Sequence, residues 1–375
     1  MSAPKLLFLV TEDWFFRSHF LVLARRAVAE GYEVSIAARL SGALKGVEDV
    51  RLIDMPFARG ARGPMAVARE AASLRALIAR ERPDVIHAIA LKPIALLLLA
   101  GAADSGRVFA VTGRGFLAVR GSLWTRFMSW RLRRLLRRAL AAPGAILAVE
   151  NLADRRWVEG ARPLEECRVA LLPGAGVDTG TFTVASEPAA GPIVVGIVSR
   201  LIWSKGVDLA VEAIRRLRAG GLDIVLRIAG GIDLDNPEHV GESEIAHWRA
   251  TPGVELVGRV DDINGFWAGA HIACLPSRGG EGLPRSLLEA AACGRPIVTS
   301  DAPGCADFVA DGETGLVVAR EDAPALAAAI RELADDQAAR RRMGETARAR
   351  VLQGYTTSHA ADAAARAWRL ASRSP

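Results

Sequence analysis

Short apolar runs alternate along the chain with longer stretches whose apolar residues recur every three or four positions. Runs at 6–10, 34–37, 85–88, 108–112 and 146–149 are dominated by Val, Leu, Ile and Ala. Such runs mark strands of a parallel sheet buried on both faces. Between them, 17–30, 65–81 and 124–140 carry helical periodicity. The alternation restarts at 193–199, 225–229, 254–257, 272–276, 296–300 and 315–318. Two such series predict an α/β protein of two Rossmann-like domains, each a parallel sheet with helices on both faces.

Residues 179–192 are rich in Thr, Ala, Pro and Gly and lack either periodicity, so they read as the break between the series. The predicted organisation is a first domain over 1–180, a linker over 181–192, a second domain over 193–355 and a closing segment over 356–375. The tail from 322 to 374 is Ala- and Arg-rich and helical in composition. Ligands on such sheets bind where the strands end in loops and helix N-termini. Two facing sheets would bring both loop sets to one cleft, so candidate chemistry is sought at strand ends.

The chain has 375 residues, 51% hydrophobic and 24% charged, enough for two cores and unlike a disordered chain. Its four cysteines, Cys167, Cys274, Cys293 and Cys305, form no C-x-x-C pair, and no His stands beside one at metal-ligand spacing. That argues against a structural zinc or a disulfide framework and fits a reducing compartment. The first apolar run turns acidic at Glu12 and Asp13, too soon for a secretion signal. The longest apolar stretch, 94–103, is half the ~20 residues a membrane-spanning helix needs. The expectation is a cytoplasmic protein without a spanning segment. Net charge is +6, unevenly placed. Between Asp104 and Glu150 stand nine arginines (107, 114, 120, 126, 131, 133, 134, 137 and 138) and no acidic residue. That window alone exceeds the charge of the whole chain, so a local basic surface needs explaining.

The sharpest chemical signal runs from Leu275 to Pro296. A strand end is followed by Gly279-Gly280-Glu281-Gly282-Leu283-Pro284, then Arg285, Ser286 and a helical run through Glu289. Pro284 suits the first helical position, where a missing N–H costs nothing. The amides of 282–286 and the helix dipole then make an anion site suited to a diphosphate. Glu281 can meet sugar hydroxyls, and Glu289 can accept from ribose hydroxyls. A second signal is Arg200, leaving the first strand of the second series, with Lys205 just before a helix. Two fixed cations there can neutralise a leaving diphosphate, at roughly 1.5–3 kcal/mol per charge-assisted hydrogen bond. No D-x-D metal clamp is evident, since Asp233-Leu234-Asp235 reads as a loop.

On these residues, 193–318 resembles the second domain of the large family of retaining GT-B glycosyltransferases with an E-x7-E motif (family 4-like, group 1 glycosyl transferases). Glu281 and Glu289 match the paired glutamates, and Arg200 and Lys205 match the diphosphate-binding cations. Gly174-Ala175-Gly176-Val177-Asp178 resembles the segment before the hinge. Val257-Gly258-Arg259-Val260 resembles the loop whose backbone reads the nucleobase. Ser199 replaces the usual glycine before Arg200, a small residue expected to keep the loop's shape. Over 11–19, 86–93 and 111–116, and again at 235–237 and Trp248, the chain resembles bacterial transferases that build surface polysaccharides (capsule, O-antigen) on lipid carriers.

The resemblance implies two domains facing across a cleft and a C-terminal helix returning to the first. It implies Glu281, Arg200 and Lys205 as catalytic residues, with Glu289, Gly282, Leu283, Pro284, Ser286, Arg259 and Val260 binding the donor. Ser18, His19, His87, Lys92, Thr112 and Gly113 are the candidates toward the acceptor, with Ser18 and His19 opening the first helix and His87 ending a strand. The implied reaction moves a hexose or N-acetylhexosamine from a nucleoside diphosphate sugar, taken as a UDP-sugar, to a lipid-linked saccharide, with no metal or other cofactor. The alternatives are a sugar-nucleotide epimerase of the same fold and a transferase to a small soluble acceptor. A nucleic-acid partner is not expected, since it would leave the Glu281 loop without a purpose.

The basic stretch 123–140 reads as amphipathic. Trp124, Met128, Leu132, Leu135, Leu136 and Ala139 share one face, and Arg126, Arg133, Arg134 and Arg137 the other. Arginine beside Trp124, Phe127 and Trp130 suits an anionic membrane surface or a pyrophosphate-linked lipid. The expected location is therefore the inner face of the plasma membrane, peripherally bound.

Overall fold

The computed structural model describes residues 3–57, 63–102, 104–115 and 123–372. Among the residues named above, Ala103, Phe116, Arg120, Ser374 and the Trp124 side chain lie outside that description. The chain forms two compact units, 1–175 with 357–375, and 176–356.

The first unit holds seven parallel strands: β1 (Lys5–Glu12), β2 (Glu33–Arg39), β3 (Arg51–Asp54), β4 (Val85–Ile89), β5 (Gly106–Val111), β6 (Ala145–Val149) and β7 (Val169–Leu171). Their order is β3-β2-β1-β4-β5-β6-β7, so the order reverses between β1 and β4. Helices α1 (Asp13–His19), α2 (Leu21–Ala29), α3 (Pro64–Glu81), α4 (Leu91–Ala100), α5 (Leu123–Leu140) and α6 (Leu152–Glu159) connect them. The β3 and β7 edges escape an apolar-run reading because they are only four and three residues long and partly exposed. The helix expected over 17–30 breaks at Phe20, which leaves helical geometry (φ −129°, ψ 0°) to bury its ring. The first turn begins earlier, at Asp13. That carboxylate accepts from the Ser41 amide at 2.9 Å, the Ser41 hydroxyl at 2.6 Å and the Ala43 amide at 3.0 Å.

The second unit repeats the plan with six parallel strands: β8 (Ile193–Val198), β9 (Ile224–Ala229), β10 (Val254–Gly258), β11 (Ile272–Leu275), β12 (Ile297–Ser300) and β13 (Gly315–Val318). Their order is β10-β9-β8-β11-β12-β13. Its helices are α7 (Val207–Ala219), α8 (Glu242–Ala250), α9 (Ile263–Ala268), α10 (Arg285–Ala292), α11 (Cys305–Phe308), α12 (Ala323–Asp335) and α13 (Gln337–Gly354). The segment expected as the linker, 181–192, is anchored at several points. Phe182 is buried, Arg295 donates to the Ala185 carbonyl at 2.7 Å, and Glu187 meets Arg340 at 3.0 Å in a buried pair. The chain changes unit at 175/176 and again at 356/357.

The last helix, α14 (Thr357–Ser372), belongs to the first unit. Its buried face is mostly alanine, which lets its backbone approach the sheet. A Cβ on Gly106 of β5 would stand 2.6 Å from the Ala371 carbonyl oxygen. Trp368 is the large residue on that face, fully buried against Phe8, Tyr32 and His87. No helix among the described residues is long and apolar enough to cross a membrane.

Candidate functional site

In the second unit, two loops meet beyond the strand ends. After β8 the chain passes Arg200 and makes a 3-10 turn, Trp203–Lys205, then enters α7 through Gly206. Gly206 is left-handed at φ +69°, and a Cβ there would lie 2.0 Å from the Pro276 carbonyl oxygen. Only glycine allows this turn to pass so close to the loop after β11. That loop is tied back to it. The Arg278 amide donates to the Ser204 carbonyl at 2.8 Å, and the buried Ser277 hydroxyl donates to the same oxygen at 3.2 Å.

The Arg278 side chain completes the junction. Its guanidinium donates to the Trp203 carbonyl at 2.6 Å and to both Asp208 oxygens at 2.8 and 2.7 Å. Its Nε donates to Glu321 at 2.8 Å. The outcome is that Lys205 Nζ stands 2.7 Å from Glu281 Oε1, with both side chains largely shielded (13% and 16% exposed). Across the loop, Gly304 (φ +82°) packs so tightly that its Cβ would fall 1.6 Å from the Gly282 carbonyl oxygen.

The other expected donor residues are held differently. Arg200 is half-exposed and pairs with Asp233 Oδ2 at 2.7 Å. Asp233 thus serves as a counter-ion, and no group of three or more His, Cys, Asp or Glu side chains suited to a metal occurs among the described residues. Glu289 is buried on α10 and pairs with Arg285 at 2.8 Å. Burial pushes its carboxyl up, opposed by the Arg285 charge. Pro284 is the N-cap of α10 and not its first helical residue, because its ψ of 120° is extended. Gly282, Leu283 and Pro284 are buried and Ser286 half-buried, while Arg259 is exposed and Val260 half-buried beside β10. Ser199 is brought against Gly230, whose left-handed backbone (φ +147°) would put a Cβ 1.8 Å from the Ser199 carbonyl oxygen. Asp178 closes a turn, accepting from the Gly180 amide and the Thr181 hydroxyl. Trp248 is a core residue whose indole donates to Glu244 at 2.8 Å.

In the first unit, the candidates divide. Thr112 and Gly113 follow β5 at its carboxyl end, with Gly113 left-handed at φ +100°. Lys92 lies in the first turn of α4, 2.9 Å from the buried Glu70 of α3. Ser18 and His19 close α1, where they were expected to open a helix, and Ser18 Oγ lies 2.6 Å from His19 Nδ1. His87 is a correction. It is the third of five residues in β4, 1% exposed, and its Nδ1 accepts from the Trp368 indole at 3.1 Å. Burial pushes its imidazole down to about 3, so it is neutral and out of reach of an acceptor.

Several polar residues at the same carboxyl edge carried no motif. Asp154 is buried on α6 and accepts from the Arg114 guanidinium at 2.9 Å, which fixes the turn after β5. Asn151 caps α6 through the Asp154 amide at 2.7 Å. Ala90, between β4 and α4, holds a backbone normally reserved for glycine (φ +74°, ψ 163°). Such strain gathers at binding sites and is invisible in an alanine codeword.

On α5 the buried side is Leu136 and Leu140. Met128 and Leu135, on the apolar face read from the sequence, are exposed, as are Leu123, Phe127 and Trp130. Their neighbours Arg126, Arg131, Arg134 and Arg138 are exposed too. Arg131 lies over the Phe127 ring and Arg134 over the Trp130 ring, at 5.8 and 5.6 Å.

Comparison with known proteins yields two family matches. Residues 17–180 match the model described as Glycosyltransferase Family 4, and 192–336 match Glycosyl transferases group 1. The capsular polysaccharide biosynthesis glycosyltransferase CapM of Staphylococcus aureus is 28% identical over 164 residues, 44% of this chain and 42% of that protein. The phosphatidyl-myo-inositol mannosyltransferase of Mycolicibacterium smegmatis is 29% identical over 89% of this chain and 84% of its own. The chain spans less than half the length of several curated relatives. Among solved structures, Anabaena Alr3699/HepE in complex with UDP and glucose superposes with a TM-score of 0.76 at 18% identity, covering 96% of this chain and 98% of that one.

Proposed function

We propose that this chain, which belongs to the family 4 and group 1 glycosyltransferases, moves a hexose or N-acetylhexosamine from a UDP-sugar to a lipid-linked saccharide during surface polysaccharide assembly, retaining the anomeric configuration. The observation that carries the reading is the shielded Lys205–Glu281 pair on two loops locked together ahead of α10. Lys205 and Arg200 would hold the diphosphate, Glu281 the sugar hydroxyls and Glu289 the ribose. Arg200's exposed pair with Asp233 is worth at most about 1 kcal/mol, less than a charge-assisted bond to a diphosphate at ~1.5–3 kcal/mol. A bound nucleotide would therefore draw Arg200 away from Asp233.

In the proposed step the bond from the anomeric carbon to the diphosphate oxygen breaks as the acceptor oxygen attacks the same face. The acceptor proton passes to the departing diphosphate, whose growing charge Lys205 and Arg200 stabilise. Placing fixed cations where charge develops contributes ~10²–10³ in rate per donor. The UDP assignment leans on the HepE complex, and the lipid-linked acceptor on the exposed aromatic and arginine face of α5. Each basic residue near an anionic surface adds ~1 kcal/mol of attraction.

The test is incubation with UDP-sugars, with and without polyprenyl diphosphate-linked saccharide, followed by NMR of the product's anomeric proton. A retained configuration on the lipid product is expected. A rearranged sugar nucleotide formed without any acceptor would assign an epimerase instead. Flotation with anionic vesicles at low and high salt tests the surface, and a protein left in the soluble fraction at low salt would remove it.

A further inference from the structure

At the strand-start edge of the first unit's sheet, away from Lys92, Thr112 and Gly113, lies a pocket beside the exposed face of α5. The last three turns of α5 and the end of α6 border a shallow, open groove of about 480 Å³, lined by Trp130, Arg133, Arg134, Arg137, Arg138 and Gly160 among others. Gly160 is the left-handed cap of α6 (φ +59°). A Cβ there would sit 3.2 Å from one Arg137 guanidinium nitrogen and 3.8 Å from an Arg133 nitrogen. Two guanidinium groups therefore converge on a space kept open by the absence of a side chain.

A purely structural account of these arginines falls short. Cations at helix C-termini answer the helix dipole, and the ends of α5 and α6 supply roughly half a negative charge each. Four guanidinium charges exceed that several-fold. Glu159, the acid beside Gly160, is occupied by Arg155 at 2.9 Å and the Leu164 amide at 3.3 Å. No acidic residue occurs between Asp104 and Glu150. Arg137 donates to the Arg162 carbonyl at 3.3 Å through one guanidinium nitrogen. Like charges at i and i+4, here 133/137 and 134/138, repel one another unless an anion lies between them.

We infer that this pocket is a phosphate site, taking a phosphomonoester or diphosphate group whose oxygens match the guanidinium forks. It deepens the anionic-surface reading of α5 by naming the group recognised, and it is independent of the donor residues, which lie in the other unit. The group can come from a lipid headgroup or from a soluble phosphate compound. Trp130 at the rim and the exposed Phe127 one turn earlier would flank the headgroup.

The probes are inorganic pyrophosphate in calorimetric titration, and vesicles containing either phosphatidic acid or phosphatidylserine at matched surface potential. The variants are R134Q/R138Q, both surface positions, and Lys205→Ala as a donor-site control, with thermal melting to confirm folding. The expected result is pyrophosphate binding weakened at least tenfold in R134Q/R138Q and retained in Lys205→Ala. Preferential flotation with phosphatidic acid, lost in R134Q/R138Q, assigns a lipid headgroup. Pyrophosphate binding without that preference assigns a soluble phosphate and upholds the site. Pyrophosphate binding lost in Lys205→Ala but unchanged in R134Q/R138Q, or no binding in either arm, overturns it. Equal flotation with both lipids and no pyrophosphate binding would leave a charged surface without a phosphate site.

Discussion

Lys205 Nζ and Glu281 Oε1 stand 2.7 Å apart, brought together from two loops that Arg278 binds to one another. In the proposed function this shielded pair exchanges partners: an incoming diphosphate would take the ammonium, and a sugar hydroxyl the carboxylate. Lys205→Ala and Glu281→Gln should each lower kcat by ~10²–10³ while thermal melting without ligand moves little. The check is steady-state transfer from a UDP-sugar. Activity within a few-fold of the native protein would remove the pair from the mechanism.

The close passage at Gly206 makes a sharper test of geometry. Gly206→Ala adds a methyl where 2.0 Å separates it from the Pro276 carbonyl oxygen, at a left-handed φ. The variant should lose several kcal/mol of stability, or fold with the loop displaced and no thermal shift on adding UDP. Gly241→Ala, with open space around it, should behave as the native protein does.

His87 sets a pH dependence. Its folded value of about 3 lies below the ordinary 6.5, so the unfolded chain takes up the proton first as pH falls. Its contribution is complete above pH 6.5 and is lost progressively as pH falls from 6.5 toward 3, at up to ~1.4 kcal/mol per pH unit. His87→Asn keeps an acceptor for the Trp368 indole but does not titrate. Denaturant midpoints measured between about pH 6.5 and 4 should fall less steeply in this variant. An unchanged slope would show that other groups govern acid stability.

Ala90 holds a conformation that costs an alanine on the order of 1–3 kcal/mol. Ala90→Gly should therefore raise the melting temperature, by roughly 1 kcal/mol after glycine's greater unfolded freedom is counted. A lower melting temperature would contradict the strain.

The proposed function has Arg200 and Lys205 balance the diphosphate charge in place of a metal. Transfer should continue in EDTA, and a complete loss restored by Mg²⁺ would require a metal-bound diphosphate instead.

Much of the architecture was legible as period alone. Buried parallel strands such as β6 and β8 are unbroken apolar runs, β1 carries one from Leu6 to Val10, and their alternation with helices implies two doubly wound sheets. The short edges β3 and β7 lack enough residues to carry that signal, and α1 and α2 separate at a residue, Phe20, that any helix would accept. The anchors of the 181–192 segment, Arg295 and Arg340, lie more than a hundred residues away, so no local pattern shows them.

The sequence by itself determined the two-sheet plan and the residue types of the loop over 279–284, because backbone period and a glycine–glutamate–proline pattern are local properties. Only the tertiary structure decided which of those residues meet. It joined Lys205 to Glu281, gave Arg200 to Asp233 and Glu289 to Arg285, and sank His87 beneath Trp368. Contact between distant segments depends on how strands are ordered and how closely backbones pass. A single chain of letters does not encode those distances locally.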